Sequence, residues 1–250
     1  MIPNIIHFIY FYTKENNEFP MTHYINIKSA QVVNNPEKIF FYTNKEPIGI
    51  WWEKAKKITD LIILEPPDEI FGNKLFHLAH KSDVARIKIL QETGGIYLDL
   101  DILCKKTFSP LLSKNFVLGQ QGKWRITGLC NGVILSEKNA EFLKIWLNEF
   151  KNFRSIGHDK YWAEMSVQIP LKLSKIYRNL IHTEPFDSFH FPLYYSWGLK
   201  KLFRECIDYK NAYCHHLWEG ISYNKYLKFF TVDYINNVDT TYNIIARKFL

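Results

Sequence analysis

Short apolar runs alternate with helical segments through the first hundred residues, and that alternation restricts the folds open to this chain. Ile5 to Tyr10 is a continuous apolar run, the pattern of a strand buried on both faces. Met21 to Val33 reads as a helix stopped by Asn34-Asn35-Pro36. Lys38 to Thr43 is a second strand, Ile48 to Lys57 a short helix, and Leu61 to Leu64 a third strand ended by Pro66-Pro67. A helix over residues 73–92 stops at Gly94-Gly95 and leads into the short apolar strand Ile96-Tyr97-Leu98. Strands joined through helices imply right-handed crossovers and a mixed, mostly parallel sheet flanked by helices, an α/β fold of Rossmann-related type. Ligands on such sheets sit beyond the carboxyl ends of the strands. The end of the first strand and the exit of the Ile96 strand should therefore share one rim.

That exit carries Asp99-Leu100-Asp101. Residues i and i+2 of a strand project to one side, so the two carboxylates converge if the extended geometry persists, while Leu98 and Leu100 point into packing. Two like charges held together need a cation, and a hard divalent ion shared with a substrate diphosphate supplies it. The plainer alternative is a strand end opening into a solvated loop. Upstream, at about 100° per residue, Leu75, Ala79, Ser82, Ile89 and Leu90 share one helix face with Arg86 in its middle. An arginine aimed at a core requires a partner. Asp83, three residues earlier, can pair with it as a helical ion pair. Alternatively Arg86 reaches a phosphate or a sugar hydroxyl, with Asp83 holding the guanidinium or the sugar.

Ser82-Asp83-x-x-Arg86 followed by Gly94-Gly95-x-Tyr97-x-Asp99-x-Asp101 resembles the DXD-containing retaining glycosyltransferases of glycosyltransferase family 32. That group includes initiating mannosyltransferases and capsular polysaccharide sugar transferases, and its core is shared with the clostridial glucosylating toxins. The opening Ile2-Pro3-Asn4-Ile5-Ile6-His7-Phe8 and the later His215-His216-Leu217-Trp218-Glu219-Gly220-Ile221-Ser222-Tyr223 resemble further segments of that family. In the second, this chain inserts Ile221 and carries Tyr223 where the family has tryptophan.

The resemblance implies a GT-A-like fold and metal-dependent, retaining transfer of a hexose from a nucleotide sugar. UDP-hexose is favoured and GDP-mannose is the alternative donor; the acceptor is a glycan, a lipid-linked sugar or a protein. It implies Asp83, Arg86, Asp99 and Asp101 as catalytic residues, with Asp99 and Asp101 around Mn²⁺ or Mg²⁺; His216 is the candidate third ligand, since an imidazole suits Mn²⁺ better, the alternative being a structural His215-His216 pair. Ile6, His7 and Phe8 would border the nucleobase and Tyr97 would line the donor pocket. Asn131 would hold the donor sugar, or serve only as a turn residue before Gly132. Trp218 and Ser222 would close over the diphosphate. A single domain is expected, with a nucleotide-binding part over about 1–101 and an acceptor and flap part over about 102–250.

Composition agrees without being decisive. The 250 residues, 47% hydrophobic, suffice for one domain with a full core. The net charge of +7 favours anionic partners, but it is spread rather than blocked, and no nucleic-acid module is visible. Cys104, Cys130, Cys206 and Cys214 have no paired spacing and read as reduced thiols. Cys206, Cys214, His215 and His216 match no standard zinc spacing. Neither a signal peptide nor a membrane anchor is read, so the expectation is a cytoplasmic enzyme, bacterial or of a large virus in its host.

Beyond residue 101, Phe116 to Gly119 and Gly132 to Leu135 read as strands, and Ser136 as the cap of a helix from Glu137 to Phe153. Ala163 to Asn179 reads as a helix interrupted near Pro170, and Phe186 to Tyr195 as an irregular aromatic loop. Two other functions use similar residues. A phosphoryl or nucleotidyl transferase would normally show a Gly-rich phosphate loop with a lysine, which is absent. A non-catalytic nucleotide-sugar or glycan-binding protein would keep the fold and often lose a metal ligand.

Overall fold

β1 (Ile5–Ile9) takes the centre of the molecule because it has no exposed side: Ile6, His7 and Phe8 are fully buried. The computed structural model describes residues 1–13, 17–123 and 125–250. After β1 come α1 (Met21–Asn34), β2 (Lys38–Thr43), α2 (Ile50–Ala55) and β3 (Asp60–Ile63). A small hairpin of β4 (Glu69–Ile70) and β5 (Asn73–Lys74) precedes α3 (Leu78–Thr93) and β6 (Gly95–Leu98). β7 (Ile102–Cys104), β8 (Phe116–Gln121), β9 (Gly128–Ser136), α4 (Glu141–Glu149), α5 (Ile169–Ile176) and β10 (His182–Glu184) follow. The chain continues through α6 (Ser196–Phe203), β11 (Cys214–His216), α7 (Glu219–Ser222), α8 (Val232–Asn237) and α9 (Thr241–Ala246).

Seven strands form one sheet in the order β10-β8-β9-β6-β1-β2-β3. The pairs β1–β2, β2–β3, β1–β6 and β8–β10 are parallel, while β9 runs antiparallel to both neighbours. This is the expected mixed, mostly parallel sheet flanked by helices. β8, β9 and β10, from beyond residue 101, complete the sheet that the first hundred residues begin. Strand alternation sends Ile6, Phe8, Ile96 and Leu98 to a core with α1 and α2, and Ile9 and Tyr97 to a core with α3 and α4. At about 1.5–3 kcal/mol per large apolar side chain buried, these two layers dominate the stability. A third cluster joins α1, α6 and α9 through Ile25, Phe203 and Tyr242. Among the described residues no helix is long and apolar enough to cross a membrane.

Three local expectations change. The helix read over 73–92 starts at Leu78, because Asn73 and Lys74 pair in the hairpin and the His77 side chain accepts the Ala79 N–H as a cap. Leu75 thus lies outside the helix face it was assigned to, yet is buried. Ser136 does not cap a helix: it ends β9 and bonds the Glu137 carbonyl, and α4 begins four residues after Glu137. The segment read as a helix from Ala163 becomes a π-helical turn over Glu164–Gln168 followed by α5, whose first turn accommodates Pro170.

The turn Gly94-Gly95 sets β6 against β1. Both glycines have positive φ, +69° and +113°, and a Cβ on Gly95 would stand 2.6 Å from the Ile5 carbonyl oxygen and 2.8 Å from His7 Nε2. His7 fills the space so created, bonding the Gly94 carbonyl and the Tyr42 hydroxyl. Burial holds its imidazole down to about 4 from an ordinary 6.5, against the pull of the Gly94 carbonyl. His215 is held down to about 4 by the same burial.

Both histidines therefore fold neutral and take up protons when unfolded. Their stabilising contribution is complete above 6.5 and is lost as pH falls toward 4. Each should cost about 1.4 kcal/mol per pH unit within that window. Denaturant unfolding of the parent and of His7→Gln at several pH values checks this: the variant should show the shallower acid loss.

Candidate active site

β6 delivers the two carboxylates, but not by strand alternation. The strand ends at Leu98, and the chain closes a turn in which the Ile102 N–H bonds the Asp99 carbonyl at 3.0 Å. Leu98 and Leu100 are buried as expected, and Asp99 and Asp101 leave the turn toward one cleft.

Arg86 organises the first half of the site. Only 5% exposed, it stands 2.9 Å from Asp99 Oδ1 and 3.4 Å from Asp83 Oδ1, and it donates to the Asn131 carbonyl at 3.0 Å and the Ser82 hydroxyl at 3.0 Å. Its Nε donates to the Ser82 carbonyl, and its guanidinium carbon lies 4.3 Å from the centre of the Tyr97 ring. All three guanidinium nitrogens are engaged within the protein, the helical pair with Asp83 among their contacts, and Arg86 also lines the cleft. Asp83 faces inward as well, accepting from Asn131 Nδ2 at 2.7 Å. Burial raises the Asp83 carboxyl above the usual carboxylate range, while Arg86 and Asn131 pull the other way. Tyr97 turns its hydroxyl to Asp99 Oδ1 at 2.8 Å. Asp83, Tyr97 and Asn131 thus stand behind Asp99 rather than along the cleft.

A bulge in β9 brings Asn131 there. The β8–β9 register jumps from Leu118↔Ile134 to Gly119↔Cys130, leaving Asn131, Gly132 and Val133 without partners on β8. Bulges of this kind re-aim side chains beside active sites. The Gly132 carbonyl accepts the Asp99 N–H at 2.8 Å. A Cβ on Gly132 would lie 2.8 Å from Asp99 Oδ2 and 3.1 Å from His216 Cε1. Only a glycine leaves the carboxylate and the imidazole their places.

β11 supplies the second half. It pairs antiparallel with β7, His216 opposite Ile102, which sets the imidazole beside Asp101. His216 Nε2 is 3.3 Å from Asp101 Oδ1, and Asp101 Oδ2 accepts the Glu219 N–H at 2.7 Å. Burial opposes charge on both groups; their mutual attraction outweighs it, lifting His216 well above 6.5 and holding Asp101 below the usual carboxylate range. Trp218 stacks on His216 at 3.9 Å between ring centres and donates its indole N–H to the Pro192 carbonyl.

One donor atom each from Asp99, Asp101 and His216 lies within 4.8 Å of the others. Two carboxylates and an imidazole form a donor set suited to Mn²⁺, and the bare Cα of Gly132 keeps the space between them open. These residues fit a divalent cation.

The cleft beside them, about 280 Å³, is walled by Ile9, Tyr10, Phe11 and Leu78 and continues into a second of about 560 Å³ that shares Tyr10, Phe11 and Glu219. Ile6, His7 and Phe8, assigned to the nucleobase, do not line it: they are fully buried, and the three residues after them form the wall. Parallel pairing on both sides keeps β1 in the core until its carboxyl end. Ser222 is buried too, its hydroxyl without a hydrogen-bond partner in the structure. Glu219, not singled out from the sequence, lines both clefts and bonds His23 at 2.9 Å. Its proximity to the His215-His216 segment was the only signal for it.

Two family models match. Residues 8–118 match the glycosyltransferase sugar-binding region containing the DXD motif, and residues 64–219, more than half the chain, match the capsular polysaccharide synthesis protein family. The chain belongs to the capsular polysaccharide synthesis protein family. It is a DXD-containing glycosyltransferase. Glucan organizing enzyme 1 of Cryptococcus neoformans var. grubii is 29% identical over all of this chain and 71% of its own length. Inositol phosphoceramide mannosyltransferase 3 of Schizosaccharomyces pombe is 34% identical over 39% of this chain and 26% of its own. Among solved structures, the apo-form glycosyltransferase GlyE of Streptococcus pneumoniae TIGR4 aligns with a TM-score of 0.52 at 13% identity, covering 86% of this chain and 54% of that one. Mouse xyloside xylosyltransferase 1 aligns with a TM-score of 0.51 at 11% identity, covering 86% and 98%. At these identities the structures show the shared GT-A fold.

Removing the buried cation should be costly in this family member. Arg86→Met leaves Asp83 and Asp99 without their counter-charge, and about 3–5 kcal/mol of unfolding free energy should be lost. Chemical denaturation checks it, and adding Asp83→Asn should restore part of the loss.

Proposed function

We propose that this glycosyltransferase is metal-dependent and retaining, and that it moves a hexose from a nucleotide sugar, preferably a UDP-sugar, to a glycan, lipid-linked or protein acceptor. The convergence of Asp99, Asp101 and His216 at one cleft carries this reading. Mn²⁺ held there would neutralise charge on the departing nucleoside diphosphate.

The protein's own contribution is to hold the donor atoms still. Arg86 and Tyr97 fix Asp99, and the Glu219 N–H and His216 fix Asp101, so little reorganisation is needed when charge develops. Tyr10 and Phe11 offer aromatic faces for the nucleobase. Residues 1–101 would serve the donor, and residues 102–250 the flap and the acceptor. Asp99, Asp101 and Glu219, the carboxylates of the smaller cleft, are each held by partners of their own. That arrangement favours front-face attack over a covalent intermediate on one of them. The acceptor oxygen bonds to the anomeric carbon as the bond from that carbon to the diphosphate oxygen breaks, and the acceptor proton passes to the departing diphosphate.

A panel of nucleotide sugars, with and without Mn²⁺, tests the proposal. One donor should turn over, chelator should abolish turnover, and Asp101→Asn should lower it by about 10²-fold or more. A folded protein that binds no nucleotide sugar would overturn the reading. Gly132→Ala should also lower turnover, because its methyl group displaces the Asp99 carboxylate.

A further inference from the structure

His216 belongs to two groups of potential ligands. Its Nε2 faces Asp101, while its Nδ1 is buried without a hydrogen-bond partner in the structure. Behind it lie Cys130, the last residue of β9 before the bulge, and His190 of the aromatic loop. One donor atom each from Cys130, His190 and His216 lies within 4.8 Å of the others, and all three residues are buried. His190 is fully buried, and neither ring nitrogen has an oxygen or nitrogen partner; its polar neighbour is the Cys130 thiol. It packs on β8 where Gly119 has no side chain; a Cβ there would come 3.2 Å from its ring. Orphaned buried imidazole nitrogens facing a thiol are costly in an apolar interior unless something binds them.

We propose that Cys130, His190 and His216 form a second metal site, for a thiophilic divalent cation such as Zn²⁺, behind the Asp99–Asp101 cluster and joined to it by the His216 ring. The chemistry of the two sites differs. Carboxylate oxygens suit Mg²⁺ and Mn²⁺, whereas a thiolate with two imidazoles suits Zn²⁺ or Co²⁺ and rejects Mg²⁺. Binding displaces to solvent the thiol proton of Cys130 and the proton that the imidazolium form of His216 carries on Nδ1, and leaves a thiolate and a neutral imidazole on the metal. A neutral imidazole has one free lone pair. A cation on His216 Nδ1 leaves the proton on Nε2, where it is donated to Asp101, and the outer cluster loses its nitrogen ligand. Occupation of the inner site therefore weakens Mn²⁺ binding at the outer one. That consequence rests on the outer cluster holding Mn²⁺; the inner site itself does not.

Titration of the metal-free protein with Co²⁺ in excess Mg²⁺ tests the site without any sugar transfer. One equivalent should produce a thiolate-to-cobalt charge-transfer band. The band should be absent from Cys130→Ala, weakened by about tenfold or more in apparent affinity in His190→Gln, and retained in Cys206→Ser, which removes the exposed thiol. No band in the folded parent, or an unchanged band in Cys130→Ala, overturns the proposal. If His190→Gln fails to fold, Cys130→Ala and Cys206→Ser decide the matter together. Zinc-loaded parent should then bind Mn²⁺ more weakly, by electron paramagnetic resonance, than zinc-free protein. Equal Mn²⁺ affinity overturns the link through His216.

Discussion

A buried cation, the guanidinium of Arg86, holds the first half of the candidate site in place. It emerges from α3 into a region that otherwise buries apolar surface, and it binds two carboxylates from different elements. The desolvation of that charge is offset only because Asp83, Asp99, the Asn131 carbonyl and Ser82 surround it. α3, the end of β6 and the bulge of β9 are thereby tied at one point. Such a network favours one arrangement of the elements over near alternatives, since any slip leaves a charge or a carbonyl unpaired.

The second half depends on pairing between β7 and β11, which are distant in sequence. Their short antiparallel ladder sets His216 beside Asp101 and starts α7, whose first N–H bonds the same carboxylate. The site is thus closed by a segment that arrives late in the chain. Between the two halves stands Gly132, and its missing side chain is the space in which Asp99 and His216 approach each other. An arginine that fixes one carboxylate, a histidine that fixes the other and a glycine that separates them together set two carboxylates and an imidazole at one cleft.

The imidazole of His216 is also where the outer polar cluster meets the interior. Its Nε2 stands beside Asp101, and a donor atom of the same ring lies close to Cys130 and His190. Protonation or ligation at one ring nitrogen fixes the state of the other, so under the proposed inner site the interior would affect the ligands in front of it.

The sequence alone determined the sheet strands and the motif. β1, β2, β3 and α1 lie where apolar runs and turn residues put them, because periodicity and Gly or Pro stops act over a few residues. Asp83, Arg86, Asp99, Asp101 and His216, named from the sequence, lie together in the structure. Ile6, His7 and Phe8 proved to be core, since parallel neighbours cover β1 on both sides, and Asn131 and Tyr97 support Asp99 from behind. The bulge that turns Asn131 inward, the β7–β11 pairing that brings His216 to Asp101, and the loop that seats His190 behind it were decided by tertiary structure. Each depends on which distant backbone or polar group completes a hydrogen bond or leaves room for a ring, and local patterning carries no record of such partners.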